Sequence, residues 1–171
     1  LAAIDGDAEQ GGLAETVRRQ TGKKDMGVTF LQVTPANRVS VIAEGKADME
    51  CGSTTNNAER RQKVAFTIPH FITGARLLVR ADSSVTRIED LAGKKLALLQ
   101  FTPSHGMSID AIDNSALSAR KKQSVEYVYI AAEDGLAGVR AALESGSVDA
   151  AALWDPDLSL ALRATKGHVV Y

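Results

Sequence analysis

The feature of this sequence that most restricts its fold is a regular alternation between short apolar runs and segments with helical spacing. Residues 95–99 and 125–130 have the pattern of strands, and residues 136–143 carry apolar side chains three and four positions apart. Strands that alternate with helices of this length pair in parallel, so the sequence predicts an α/β fold with parallel sheets. The predicted strands are residues 27–33, 47–51, 74–79, 95–99, 125–130, 148–153 and 168–171, and the predicted helices are residues 8–20, 36–44, 58–63, 104–121, 136–143 and 158–164.

A turn-rich stretch at residues 82–84 (DSS) divides the chain into two parts of similar size. It predicts a first domain over residues 1–79 and a second domain over residues 80–171. Each part is too small for a generous core of its own, so we expect the two to pack against each other or against another body. The chain therefore has the pattern of two small α/β lobes.

Composition excludes several classes of function. With 20 basic and 21 acidic residues among 171, the net charge is −1, which gives no broad basic surface for nucleic acid or anionic lipid. The single cysteine, Cys51, excludes a disulfide within these residues and a cysteine-based zinc cluster. His70, His105 and His168 lack the spacing of metal ligands, and no phosphate-binding glycine motif or catalytic triad is present. We therefore expect a small-molecule partner, no cofactor, no metal and no catalytic residue.

The most informative stretch is CGSTTNNAERR, residues 51–61, because it follows a predicted strand and opens a predicted helix. Small hydroxyl residues such as Ser53 and Thr55 at such a turn cap the helix and leave N–H groups that stabilise a carboxylate or a phosphate. Arg60 lies close enough along the helix to fold back over the same point and pair with a carboxylate. The residues alone leave two interpretations open, an anion site and a capped helix whose charged face is solvated.

A second turn of this kind, QFTPSHG, lies between another predicted strand and its helix. Thr102 or Ser104 can be the N-cap there, and Pro103 suits the first turn of a helix. Asp155 follows a later strand, at the sheet edge where open α/β sheets bind ligands, and a carboxylate there suits an ammonium group. Both segments also have an interpretation as helix caps without a ligand, Asp155 because Pro156 follows it.

Arg38 lies in the first turn of the helix predicted at residues 36–44. The helix dipole opposes a cation at this position unless an anion lies nearby. This mild cost favours a functional role for the side chain.

Four runs together resemble a known family: VTPANRV (33–39), ECGSTTNNAER (50–60), GARLL (74–78) and DLAGK (90–94). They resemble the glutamate/aspartate periplasmic binding proteins, which belong to the extracellular solute-binding proteins of polar amino acid ABC transporters. The resemblance implies a periplasmic-binding-protein-like type II fold, in which two α/β lobes joined by a hinge close on one amino acid without chemistry. It also implies an ABC transporter permease as partner, a periplasmic or extracellular location and a signal peptide on the precursor.

The resemblance also implies which residues of the first lobe hold the ligand. By position, Ser53, Thr55 and Arg60 match residues that bind the α-carboxylate, and Arg38 matches an arginine that helps to bind the acidic side chain. Two arginines in a closed cleft favour a dicarboxylic ligand over a neutral amino acid, because an unpaired buried cation is costly.

In the second lobe, Thr102 and Ser104 match a turn that contacts a carboxylate, and Asp155 matches the acid that takes the α-ammonium group. The sequence departs from the relatives at residues 101–103, where FTP replaces a Gly-Thr-Thr type of turn, and at Pro35, where they carry serine. These differences bear on the exact substrate.

The resemblance leaves the first lobe incomplete, because the opening strand and the closing helices of that lobe have no counterpart in this sequence. We expect segments outside this sequence, or another chain, to complete it. Two other functions stay open. One is the ligand-sensing domain of a signalling receptor, and the other is a dehydratase on the same fold, for which Asp155 or Glu50 would be the general acid.

Overall fold

The computed structural model describes residues 3–4, 9–69 and 74–171, and the chain divides by its contacts into two compact units, Leu1–Ile68 and Pro69–Tyr171. Both units combine helices and strands, as the α/β class requires. None of the helices in the described part is both long enough and apolar enough to cross a membrane.

The first unit contains three helices and one pair of short strands among its described residues. The helices α1 (Glu9–Thr21), α2 (Arg38–Ala43) and α3 (Ala58–Arg61) confirm the three that were predicted there. The strands β1 (Ala3–Ile4) and β2 (Glu50–Cys51) pair in parallel. β2 coincides with the last two residues of the strand predicted at residues 47–51.

The position of α2 is set by residues on either side of it. Before the helix, Asn37 Oδ1 accepts a hydrogen bond from Thr34 N at 2.7 Å, which closes the turn that leads into the helix. After the helix, Gly45 adopts a φ of +68°, a conformation that glycine reaches without steric cost. Arg38 is therefore presented as the first residue of a short, well-bounded helix.

The strand predicted at residues 27–33 is wrong, because the structure has no strand in this segment. Its alternating apolar and β-branched residues suit a strand, but a strand also needs a paired neighbour and a covered face. Phe30 and Leu31 are instead 55% and 41% exposed. These two apolar side chains therefore lack the cover that a strand of a sheet would have.

The second unit is built on a five-stranded sheet with the strand order β5-β4-β6-β3-β7. Its strands are β3 (Arg76–Val79), β4 (Lys95–Leu99), β5 (Glu126–Ile130), β6 (Ala150–Leu153) and β7 (His168–Val169). β4 is parallel to β5 and β6, as predicted, whereas β3 pairs antiparallel with β6 and β7. The expectation of parallel sheets is therefore wrong for β3, because an apolar pattern carries no information on strand direction.

Helices lie on both faces of this sheet. They are α4 (Pro103–Asp113), α5 (Ala119–Gln123), α6 (Gly135–Glu144) and α7 (Asp157–Thr165), and a 3₁₀ turn that the sequence did not predict lies at Ile88–Leu91. Alternate residues of β3 enter two separate cores. Leu77 and Val79 pack in one core with Ile112 of α4, and Leu78 packs in the other with Val139 of α6.

The single helix predicted at residues 104–121 is two helices, α4 and α5. Asn114 follows the end of α4, and its Nδ2 donates to Asp110 O at 2.8 Å. Ser115 Oγ donates to Ile112 O at 2.6 Å. Short polar side chains that bond to nearby backbone compete with continuation of a helix, which explains the break.

Candidate functional site

In the first unit, Arg38 contacts an acid that had no place in the ligand site expected from the sequence. Arg38 is only 5% exposed, and its Nη1 lies 3.6 Å from Glu50 Oε1 in β2. The other carboxylate oxygen, Glu50 Oε2, accepts a hydrogen bond from Thr54 Oγ1 at 2.7 Å. The anion that a cation at the start of α2 requires is therefore supplied within the unit.

The sequence around Glu50 has features from which the contact between Arg38 and Glu50 could have been predicted. An acid ends a short strand four residues before a threonine, and Gly52 lies between them. A Cβ at Gly52 would lie 2.7 Å from Glu50 Oε1, which is closer than a carbon atom can approach. The glycine therefore leaves the space that the carboxylate occupies.

The short helix α3 is capped by an asparagine. Asn57 Oδ1 accepts a hydrogen bond from Arg60 N at 2.9 Å, so the prediction that small hydroxyl residues cap this helix is wrong. Asparagine is as good a cap as serine, and Asn57 directly precedes the helix. Ser53 and Thr55 are exposed residues of the preceding turn. With four residues, α3 contributes little dipole towards an anion.

Arg60 folds back along this turn, as expected. Its Nη1 donates a hydrogen bond to Thr55 O at 3.1 Å, and the residue is half-buried. The neighbouring Arg61 is exposed, and its Nη1 donates to Asn56 Oδ1 at 2.9 Å. The turn thus holds one arginine against its backbone and directs the other to a side chain at the surface.

In the second unit, Thr102 and Ser104 are buried and lie against each other. Their hydroxyl oxygens are 3.0 Å apart, and Thr102 Oγ1 donates to Leu99 O at 2.6 Å. Thr102 is the N-cap residue of α4 and Pro103 is its first residue, as predicted, but the Thr102 side chain makes no capping bond to the helix. The two hydroxyl groups are therefore used within the turn itself.

Asp155 is an exposed residue two positions after the end of β6. Its Oδ1 accepts a hydrogen bond from Ser159 Oγ at 2.5 Å. The N-cap of α7 is Pro156, so the interpretation in which Asp155 caps this helix is wrong. Because β4 and β6 are parallel neighbours, Thr102 and Asp155 both follow the carboxyl ends of adjacent strands, at the edge where such sheets bind ligands.

Three rings form an edge-to-face row beside this turn. The ring centroids of Phe101 and His105 are 6.5 Å apart, and those of His105 and Tyr129 are 5.5 Å apart. Phe101 is exposed and has a φ of +60°, an unusual backbone conformation for a residue other than glycine. Burial lowers the pKa of the His105 imidazole. No sequence pattern indicated this row, because a turn, a helix and a strand each contribute one member.

The residues expected around a ligand are therefore divided between the two units. Arg38, Ser53, Thr55 and Arg60 belong to the first unit and lie in or beside the segment 50–60. The others, Thr102, Ser104 and Asp155, lie at one edge of the sheet of the second unit. In the described part of the chain, no three histidine, cysteine, aspartate or glutamate residues come together as a metal site.

The mixed sheet with helices on both faces belongs to the fold of the type II periplasmic binding proteins, as solved structures show. An ancestral arginine-binding protein bound to arginine has a TM-score of 0.73 at 20% identity, with 98% of this chain and 76% of that chain covered. An ancestral amino acid-binding protein described as a precursor of cyclohexadienyl dehydratase has a TM-score of 0.72 at 21% identity, with 99% and 75% covered. At about 20% sequence identity, the similarity to these two structures establishes the fold alone.

The chain belongs to the bacterial extracellular solute-binding proteins, family 3, whose model matches residues 4–128. It is 32% identical over 142 residues to the glutamate/aspartate import solute-binding protein of Salmonella typhimurium strain LT2, with 75% of this chain and 47% of that protein covered. It is 30% identical over 116 residues to the L-glutamate/L-aspartate-binding protein of Pseudomonas aeruginosa, with 68% and 36% covered. These matches confirm the resemblance, and the chain spans about half the length, or less, of these relatives.

Proposed function

We propose that this chain binds an acidic amino acid, glutamate or aspartate, outside the cytoplasm and passes it to the permease of an ABC importer. Its family consists of extracellular solute-binding proteins, and the two relatives described above are named for glutamate and aspartate. A further relative is named for glutamine, and another for aliphatic sulfonates. The support for acidic specificity therefore comes from the residues of this chain.

The observation that carries the proposal is that two arginines of the first unit, Arg38 and Arg60, each contact a residue of the segment 50–60. Arg38 contacts Glu50 at the beginning of this segment, and Arg60 bonds to Thr55 near its end. Guanidinium groups bind carboxylates through paired, charge-assisted hydrogen bonds. A ligand with two carboxylates matches a site with two such groups, which supports a dicarboxylic amino acid.

The burial of Arg38 gives less support for a dicarboxylic ligand than the sequence suggested. Arg38 already has a carboxylate partner in Glu50, so its burial does not by itself require a second anion. With Arg60 assigned to the α-carboxylate that every amino acid carries, the preference for a dicarboxylic ligand depends on Arg38 being shared between Glu50 and the side-chain carboxylate of the ligand. Ser53 and Thr55 are exposed, and Arg60 Nη1 donates to the backbone oxygen of Thr55, which supports their proposed role at the α-carboxylate.

In the second unit, Asp155 is the proposed partner of the α-ammonium group. Its carboxylate is exposed and accepts one hydrogen bond from Ser159, which leaves lone pairs for an ammonium donor. The turn at Thr102 and Ser104 is the proposed contact for a ligand carboxylate. Both hydroxyl groups are used within the turn, Pro103 has no N–H, and the amides of His105 and Gly106 donate to Thr102 O. The donor in this proposal is therefore the backbone N–H of Ser104 at the start of α4.

A dehydratase on the same fold has less support. A general acid must be placed to give its proton to the substrate. Of the two candidate acids, Glu50 is engaged by Arg38 and Thr54. Asp155 is the proposed partner of the ammonium group, a role that requires an ionised carboxylate and not a proton donor. The glutamate/aspartate relatives are named as binding proteins, which also favours binding without chemistry.

Isothermal titration calorimetry on the full-length protein tests the proposed function. We expect glutamate and aspartate to bind, and glutamine and arginine to bind at least about tenfold more weakly, since each lacks a charge-assisted side-chain contact. Binding of glutamine or arginine in preference to both acids would contradict the acidic specificity. Turnover of prephenate or arogenate by the same preparation would contradict a function limited to binding.

A further inference from the structure

Glu50 in the first unit contacts both Arg38 and Thr54 through its carboxylate. Building on the proposed function, we infer that Glu50 is a positioning residue, which orients Arg38 towards the side-chain carboxylate of the ligand. In this role Glu50 sets the preference for an acidic over an amide side chain without touching the ligand. Three features of the segment 50–54 support the inference.

The first feature is the fixed orientation of the Glu50 carboxylate. Its Oε2 accepts a hydrogen bond from Thr54 Oγ1 at 2.7 Å, and its Oε1 lies 3.6 Å from Arg38 Nη1. The side chain is 13% exposed, so little of it is free to turn towards solvent. The hydrogen bond, the ion pair and the low exposure together restrict the orientation of the carboxylate.

The second feature is the space that Gly52 provides. A Cβ at this position would lie 2.7 Å from Glu50 Oε1 and 3.7 Å from Arg38 Nη1. Any larger residue would displace the carboxylate oxygen that faces the arginine. Gly52 therefore permits the contact between Arg38 and Glu50.

The third feature is the length of the contact between the two charged groups. At 3.6 Å, it is longer than the charge-assisted hydrogen bonds of about 2.7–2.9 Å that arginine makes in a bidentate pair. Glu50 thus attracts the guanidinium group without holding it in a closed pair. An arginine oriented in this way can bind a ligand carboxylate while Glu50 offsets the cost of its burial.

The inference is tested by the ratio of the dissociation constants for glutamine and glutamate in the full-length protein. The variants are Glu50→Gln, Thr54→Val and Glu59→Gln, where Glu59 is an exposed acid of α3 that pairs with Lys63. We expect Glu50→Gln to lower the ratio about tenfold and Thr54→Val to lower it several-fold, because a charge-assisted contact is lost or loosened. Glu59→Gln, the matched control, leaves the ratio unchanged.

A purely structural role for Glu50 would weaken both ligands equally and would leave the ratio unchanged, which would overturn the inference. A higher ratio would also overturn it, because Glu50 would then compete with the ligand for Arg38. In an Arg38→Met background, Glu50→Gln should have no further effect on the ratio. If Glu50→Gln does not fold, the ratio measured for Thr54→Val still tests the inference. A wild-type protein that binds neither acid would overturn the proposed function as well.

Discussion

Arg80 Nη1 donates hydrogen bonds to two backbone oxygens, that of Val148 at 2.7 Å and that of Leu143 at 3.2 Å. Arg80 directly follows β3, so its guanidinium group ties this strand to the end of α6 and the loop before β6. Arg80→Met would leave two partly buried carbonyl groups without this donor. We expect it to lower the free energy of unfolding by about 1.5–3 kcal/mol, as measured by urea denaturation.

Asp82 offers the matched control for this prediction. Its Oδ1 lies 3.4 Å from Arg80 Nε, but its side chain is 81% exposed. Exposed ion pairs contribute about 0–1 kcal/mol, so Asp82→Asn should change the free energy of unfolding by no more than this amount. If Arg80→Met were no more destabilising than Asp82→Asn, the two carbonyl contacts would not be what stabilises this part of the sheet.

Gly167 lies against β3 with no room for a side chain. A Cβ there would lie 2.0 Å from Val79 O and 2.8 Å from Thr165 Oγ1. Val79 belongs to a strand that is paired on both sides, so its carbonyl group cannot move without loss of sheet hydrogen bonds. We expect Gly167→Ala to lower the free energy of unfolding by about 2 kcal/mol or more.

Gly106 is the control for this substitution. It lies within α4, and a Cβ there would meet nothing within 4 Å. Alanine loses less conformational entropy than glycine in a helix, so Gly106→Ala should stabilise the protein by about 0.5–1 kcal/mol. Thermal unfolding of the two variants should therefore show midpoints that move in opposite directions, and midpoints that move together would contradict the steric argument.

Much of the fold could be predicted where one local pattern decides the structure. β4 begins and ends at the predicted residues, because a short apolar run that starts at a lysine and ends at a turn is typical of a buried strand. The direction of β3 could not be predicted, since it depends on pairing with β6 and β7, more than sixty residues away along the chain. The strand expected at residues 27–33 failed for a related reason, because no neighbour pairs with it in the described part of the chain.

The candidate site shows the same division between local and distant effects. The return of Arg60 over its own turn could be predicted, because its partner Thr55 lies only five positions earlier in the chain. The partner of Arg38 could not, because the contact with Glu50 depends on how α2 and β2 pack. Membership of the family was predictable because motifs such as GSTTNNAER are carried by the sequence itself.

His105 should make stability depend on pH. Burial lowers the pKa of its imidazole in the folded state below the ordinary value of 6.5. Between the lowered and the ordinary pKa, the unfolded chain binds more protons than the folded one, so stability is lost as the pH falls through this window. We expect His105→Gln to flatten that part of the profile, as measured by urea denaturation between about pH 7 and 5. An NMR titration of His105 with a midpoint at or above 6.5 would contradict this prediction.

Arg60 and Arg61 are adjacent arginines that test the proposed contact with the α-carboxylate. Arg60 Nη1 is held at Thr55 O, whereas the exposed Arg61 bonds to Asn56. Every amino acid ligand carries the α-carboxylate, so Arg60→Met should weaken glutamate and glutamine alike, by about tenfold or more. Arg61→Met removes the same charge one residue away and should leave both dissociation constants unchanged in calorimetric titrations.

The two arginine variants also separate a specific contact from a general effect of charge. If both variants weakened binding equally, the loss would reflect the local positive potential, and raising the salt concentration on the wild type would reproduce it. If Arg60→Met weakened glutamate but not glutamine, Arg60 would bind the side-chain carboxylate instead. Only a loss that is confined to Arg60→Met and common to both ligands supports the α-carboxylate assignment, because only that group is shared by the two ligands.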